Sequence, residues 1–298
     1  MSTAVSETPR TDRAAHTSPY RLSFLGILRA EVLKFRTLVS SWVLMIVTIA
    51  LMAGMASMAA WSVNFMTSAS ESVPQDPAAA EGGAEMQASL SGNVHDLAVM
   101  TPTAGATLGF IVVGAMAVMI LSTEFGTKSI ISTFTAAPRR WAVYVAKALV
   151  ISVFSALVAL ISAVVSYPLT QLILSDDDAH FSFTDSGYWT CVLGLLVVFV
   201  LTSWMGLGLA ALLRNSAGAI VVVVVVLFVL PLVWAFLTNL DWASDFMPYL
   251  PMNLANTLTT ASDPVGDPQR VPAGWWYALW CAVPLVAGFF SFTRRDPK

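Results

Sequence analysis

Charge is scarce in this sequence: Asp, Glu, Lys and Arg make up 11% of its 298 residues, where a soluble domain carries about 25%. A globule must cover its surface with polar groups, so a water-soluble monomer is excluded. Cysteine is nearly absent, and Cys191 and Cys281 supply neither a metal-ligand cluster nor a disulfide framework. The three histidines, His16, His95 and His180, fall in polar segments, so no metal site is expected. With a formal net charge of -3 there is no basic surface to suggest nucleic acid. The pattern G-x-x-x-x-G-K-[ST] is missing, so the chain has no backbone cradle for nucleotide phosphates. No apolar segment contains a His or Asp to activate a nucleophile, which removes the case for an intramembrane hydrolase; the chain is expected not to be an enzyme.

Apolar length is what the chain has. Hydrophobic residues make up 57% of it and the mean hydropathy is +0.73. A spanning helix needs about 20 largely apolar residues, because a rise of about 1.5 Å per residue must cross about 30 Å of hydrocarbon. Six stretches qualify, at residues 42–61, 104–123, 141–174, 188–213, 217–237 and 273–292. The sequence therefore predicts an all-α polytopic membrane protein with six transmembrane helices. Lys147 is the one charge inside them, and it is expected to snorkel along its own methylenes to the headgroups. Of the 15 Lys and Arg, all but Arg270 fall on one side of this layout, while of the 18 acids that side holds only Glu7, Asp12, Glu31, Glu124 and Asp296. Basic loops are retained in the cytoplasm, so both termini are expected there, in a bacterial-type cytoplasmic (plasma) membrane. The first span begins too far from the start for a secretory signal, and no cleavage is expected.

Residues 1–20 are polar and read as a disordered cytoplasmic tail, leaving 21–298 as one six-span domain. Between Asn64 and Thr103 the acidic, Ala-, Gly- and Pro-rich chain reads as a flexible outer loop. Ahead of the first span, residues 21–40 place Leu22, Leu25, Leu28, Val32, Phe35 and Val39 at steps of three and four, with Arg21, Arg29, Lys34 and Arg36 left for headgroups. This predicts an amphipathic helix in contact with membrane lipid. In the loop 124–140, Thr127 is placed to cap a short helix carrying Ile130, Ile131 and Phe134 on one side, with Pro138 ending it before Arg139 and Arg140. Glu124 and Lys128 stand four apart, a possible surface ion pair contributing about 0.2 to 0.5 kcal/mol. Beyond the fifth span, Pro251 is placed to start a short outer helix with Leu254 and Leu258 on one face. Pro168, Pro231 and Pro284 permit kinks within spans, and Gly105 with Gly109 form a small-residue face suited to close helix contact.

The lead-in LRAEVLKFRTLVSSW, the six spans with a long first outer loop, and the segment from Glu124 through Pro138, Arg139 and Arg140 to Lys147 together resemble the ABC-2 type permeases, membrane subunits of ATP-binding-cassette transporters. The resemblance covers most of the chain. It implies the ABC-2 type permease fold, with residues 21–40 as the elbow helix and 127–137 as a coupling helix that docks on an ATPase. It also implies an ABC ATP-binding subunit as partner, ATP and Mg being held there with no cofactor in this chain, and a second permease copy or paralogue. Export of a small or amphipathic substrate by alternating access at the dimer interface is the function that follows. A secondary transporter is the first alternative; such proteins use buried ionisable groups for ion coupling, and none is expected in these spans. A non-transporting membrane scaffold is the other.

Overall fold

A computed structural model describes residues 23–71, 94–136, 139–174, 180–237, 240–262 and 268–295. The expected tail, Pro138 and residues 72–93 of the outer loop lie outside them. Every regular element among the described residues is helical, and six helices are long and apolar enough to cross a bilayer. The chain is a multi-pass membrane protein.

In chain order the helices are α1 (Phe24–Thr37), α2 (Val39–Glu71), α3 (94–100), α4 (Ala106–Gly126), α5 (Ser129–Ala136), α6 (Arg140–Ile173), α7 (Ser186–Leu213), α8 (Ser216–Val224), α9 (Leu230–Ala235), α10 (Asp241–Phe246), α11 (Pro251–Leu258) and α12 (Arg270–Arg294). The spans are α2, α3 with α4, α6, α7, α8 with α9, and α12. Because they alternate in direction, α1, α5 and the end of α12 gather at one, basic end, and α3, α10 and α11 at the other, acidic end.

Most span limits fall within a few residues of expectation, but the first two are longer, Val39–Ser68 and Val94–Gly126. Hydropathy falls after Trp61, yet the helix continues because nothing there breaks it. Ser62 and Thr67 donate their hydroxyls to carbonyls three residues back, and Asn64 Nδ2 donates to the Ile173 carbonyl at the end of α6.

The span from Ser216 to Ala235 is interrupted. Pro231 has no N–H to give and its ring crowds the preceding turn, and the backbone answers with a π-turn over Val225–Val229 between α8 and α9. Before α8 the chain turns sharply at Arg214, whose φ of 52° is left-handed, and the Asn215 side chain then accepts from Gly218 N–H to cap α8.

The most enclosed span is α7, which packs on α4, α6, α8 and α12. Its glycines make that possible. A Cβ on Gly208 would lie 2.3 Å from the Pro284 backbone of α12, one on Gly206 2.4 Å from the Gly114 carbonyl of α4, and one on Gly194 1.7 Å from the Leu258 carbonyl of α11. The Gly105–Gly109 face is also used within the chain, against Met52 of α2 and Phe199 of α7, rather than left free. At Pro251 the expected outer helix is present as α11, with Pro251, Leu254, Ala255 and Leu258 buried.

Candidate functional site

The amphipathic lead-in folds as α1, and Leu28 and Val32 of its expected apolar face pack against the core. Leu25 and Val39 are exposed, while Phe35 is buried and stacks on Phe154 of α6 at 3.8 Å between ring centroids. Turning Phe35 inward also turns Glu31 inward, since residues four apart share a helix face. Glu31 is buried and Lys34 half-buried, so Lys34 is not a free headgroup contact.

Lys147 does not snorkel. It is 1% exposed, and its Nζ donates to Glu31 Oε2 and to Glu124 Oε1, both at 2.6 Å. From the other side Lys34 Nζ donates to Glu31 Oε1 at 3.2 Å and to the same Glu124 oxygen at 3.1 Å. Two ammonium groups and two carboxylates thus alternate in a closed, formally neutral ring. A lone ammonium or carboxylate at this burial would carry an uncompensated desolvation cost, which the alternation offsets. Burial alone would lower the Lys34 pKa; the carboxylates of Glu124 and Glu31 outweigh it and leave the value raised.

The ring joins four elements. Glu31 and Lys34 come from α1, Glu124 from the last turn of α4, and Lys147 from α6 two turns after its start. The fourth is α5, because Lys34 Nζ also donates to Thr133 Oγ1 at 3.2 Å. Beside the ring is a cavity of about 320 Å³, walled by Phe35, Ile120, Val150 and Ile151 with Thr123 and Thr127. Glu124 Oε2 is buried and without a hydrogen-bond partner.

The other residues singled out in the loop are distributed differently from expectation. Glu124 does not pair with Lys128, which is exposed at a left-handed φ of 57° and leaves the carboxylate to Lys34 and Lys147. Thr127 is not the cap of the short helix: α5 begins at Ser129, and the Thr127 hydroxyl donates back to the Thr123 carbonyl and to Ser129 Oγ. Ile130 and Ile131 do not share a face. Adjacent helical positions point in different directions, and Ile130 enters the core at 1% exposure while Ile131 is 46% exposed. Phe134 lies on α5, and its side chain, like Pro138, is outside the described residues. Arg139 precedes α6 and is exposed, and Arg140 opens that helix.

A second basic feature was not anticipated. Arg214 donates to the carbonyls of Ser291 and Arg295, at 3.3 and 2.9 Å, and lies over the Phe125 ring at 5.2 Å. Arg140 reaches the same Arg295 carbonyl at 3.5 Å. Two guanidinium groups therefore converge on carbonyls at the C-terminal end of α12, where positive charge suits the helix dipole.

The ring residues did leave a trace in the sequence. Among the described residues of the basic side, Glu31 and Glu124 are the only acids, and Lys147 is the only charge in the expected span 141–174. What was invisible is that the three meet. No group of His, Cys, Asp and Glu able to hold a metal occurs among the described residues. No family model matches the chain, and no curated protein matches it at a significant level.

Proposed function

We propose that this chain is the membrane-spanning permease subunit of an ATP-binding-cassette transporter, with its basic end in the cytoplasm and α5 as the element on which an ATP-hydrolysing partner docks. The observation that carries the reading is the four-residue charge ring. It ties the short helix α5, whose outer face exposes Ile131, to α1 and to the ends of α4 and α6. Displacement of α5 would therefore move two spans rather than bend a loop. Transport in this reading proceeds by alternating access between two permease copies, identical or different, and exports a small or amphipathic substrate.

The burial of Lys147, Glu31 and Glu124 also favours a second reading. Ionisable groups held at a span end are the material from which ion-coupled secondary transporters are made. One experiment separates the two. In proteoliposomes containing the chain with a copurified ATPase subunit, transport should need ATP and survive collapse of the proton gradient. Substrate movement by the chain alone, driven by an imposed proton gradient, would reject the ATP-driven reading in favour of the second.

A further inference from the structure

From the acidic side to just past the middle of the spans, α7, the π-turn of the fifth span and α12 enclose a groove of about 580 Å³, within the roughly 300–1,000 Å³ of small-molecule sites. Its shape follows from the sequence. At one end Gly208 lets α12 close onto α7 at Pro284. At the other, the Trp280 indole N–H donates to the Tyr249 carbonyl at 3.0 Å and holds the segment after α10 against α12. Between these two ties the Pro231-induced π-turn holds Val226 at the groove wall, and the gap is left unfilled.

We infer that this groove is a lipid site that seats one acyl chain of a phospholipid from the leaflet at the acidic end. Three observations select that occupant. Between its two ends the wall is hydrocarbon in character, with Met205, Leu209, Val226, Leu279 and Val283, so a polar ligand finds no partner along its length. Its height fits. From Trp276 to Pro284 is eight residues of α12, or about 12 Å of rise, close to one leaflet of a hydrocarbon core about 30 Å thick. Finally, the groove is continuous with the face that α12 shows to lipid, since Leu279 and Val283 are more than half exposed, as are Trp275 and Val286 beside them. Its mouth suits a glycerol ester and headgroup. Among the described residues the Tyr249 hydroxyl and the Trp276 indole N–H make no hydrogen bond, and such aromatic tips are those found at the membrane–water interface. This inference does not depend on how transport is energised.

The test uses the full chain in phosphatidylcholine vesicles doped with a phosphatidylcholine carrying a diazirine midway along one acyl chain, with crosslinked residues mapped by mass spectrometry. Labelling at Met205, Leu279 and Val283 should exceed that at the lipid-facing Val153 and Val164 of α6 by about tenfold, the ratio that about 1.4 kcal/mol of preference produces. Leu279→Trp should fill the groove and abolish the excess. Val164→Trp, nine residues from the acidic end of α6 as Leu279 is from that end of α12, should not. If Leu279→Trp lowers the unfolding temperature, Val283→Phe serves in its place. Even labelling over all lipid-facing helices, an excess unaffected by filling the groove, or crosslinks from the groove to a second copy of the chain in place of lipid would each overturn the proposal.

Discussion

Lys147→Met keeps the methylenes of that side chain and removes its ammonium, so Glu31 and Glu124 are left with Lys34 alone between them. Breaking a buried pair costs about 3 to 5 kcal/mol because a charge remains without compensation. The variant should unfold at a lower temperature in detergent, and Lys147→Met with Glu124→Gln should recover part of the loss, since the second change removes the excess negative charge. Equal instability of the single and double variants would show that the ring is not coupled. Lys34 supports a separate expectation. Its pKa is raised in the folded chain, so its contribution is fully present below the ordinary lysine value of 10.5 and is lost as pH rises through the higher folded value. Unfolding temperature measured against pH should therefore fall in the alkaline range above that value, and Lys34→Met should show a smaller fall there while behaving like the wild type in its slope near neutrality.

Helix α5 has two isoleucines with opposite duties. Ile130 is buried, and Ile130→Asp should place an unpaired carboxylate in the core and destabilise the chain by about 3 kcal/mol or more. Ile131 is exposed, and Ile131→Asp should change stability by no more than about 0.5 kcal/mol, the usual range for surface positions. If α5 is the docking element, Ile131→Asp should nonetheless abolish copurification of the ATPase subunit; retention of the partner at wild-type level would remove α5 from that role. Helix crossings give a contrast of the same kind. Gly208→Ala would set a Cβ against the Pro284 backbone, which has no flexible end to move aside, and should cost about 1 to 3 kcal/mol as overpacking does. Gly54→Ala meets nothing within 4 Å on α2 and should be neutral or stabilising by about 0.5 to 1 kcal/mol, as read by thermal unfolding.

Across the whole molecule, the gathering of α1, α5 and the end of α12 at one end makes orientation a single measurable quantity. Native Cys191 and Cys281 are both fully buried, so background reaction with a thiol reagent should be low in the folded chain. With the basic end inside the cell, a cysteine replacing Ser262 should react with an impermeant reagent from outside and one replacing Ser132 should react only after the membrane is opened. Both positions are exposed in the structure, so protection reports the membrane rather than burial. Labelling of position 132 in intact cells would reverse the orientation, and with it the proposed face for an ATPase. Arg270, the one basic residue on the acidic side, does not weaken the charge argument. Its guanidinium is held by the carbonyls of Thr260 and Ser262, at 2.9 and 3.0 Å, where it joins the chain after α11 to the start of α12.

The sequence by itself determined that this is a six-span helical membrane protein, where the spans lie to within a few residues for most of them, and which ends share charge. These are properties of consecutive residues, because transfer to lipid and helical hydrogen bonding are summed along a short stretch of chain. Even the short helices α5 and α11 were legible from local spacing. What only the tertiary structure decided is which charges meet. Lys147 and Glu31 are 116 residues apart, and Glu124 chose that lysine over Lys128, its neighbour four residues on. A surface pair between neighbours contributes little, whereas a buried ammonium needs partners wherever packing can supply them, so the folded arrangement overrides the local one. The same reason separates Ile130 from Ile131 and assigns the glycines of α7 their roles, since burial belongs to the neighbours a residue acquires and not to the residue alone.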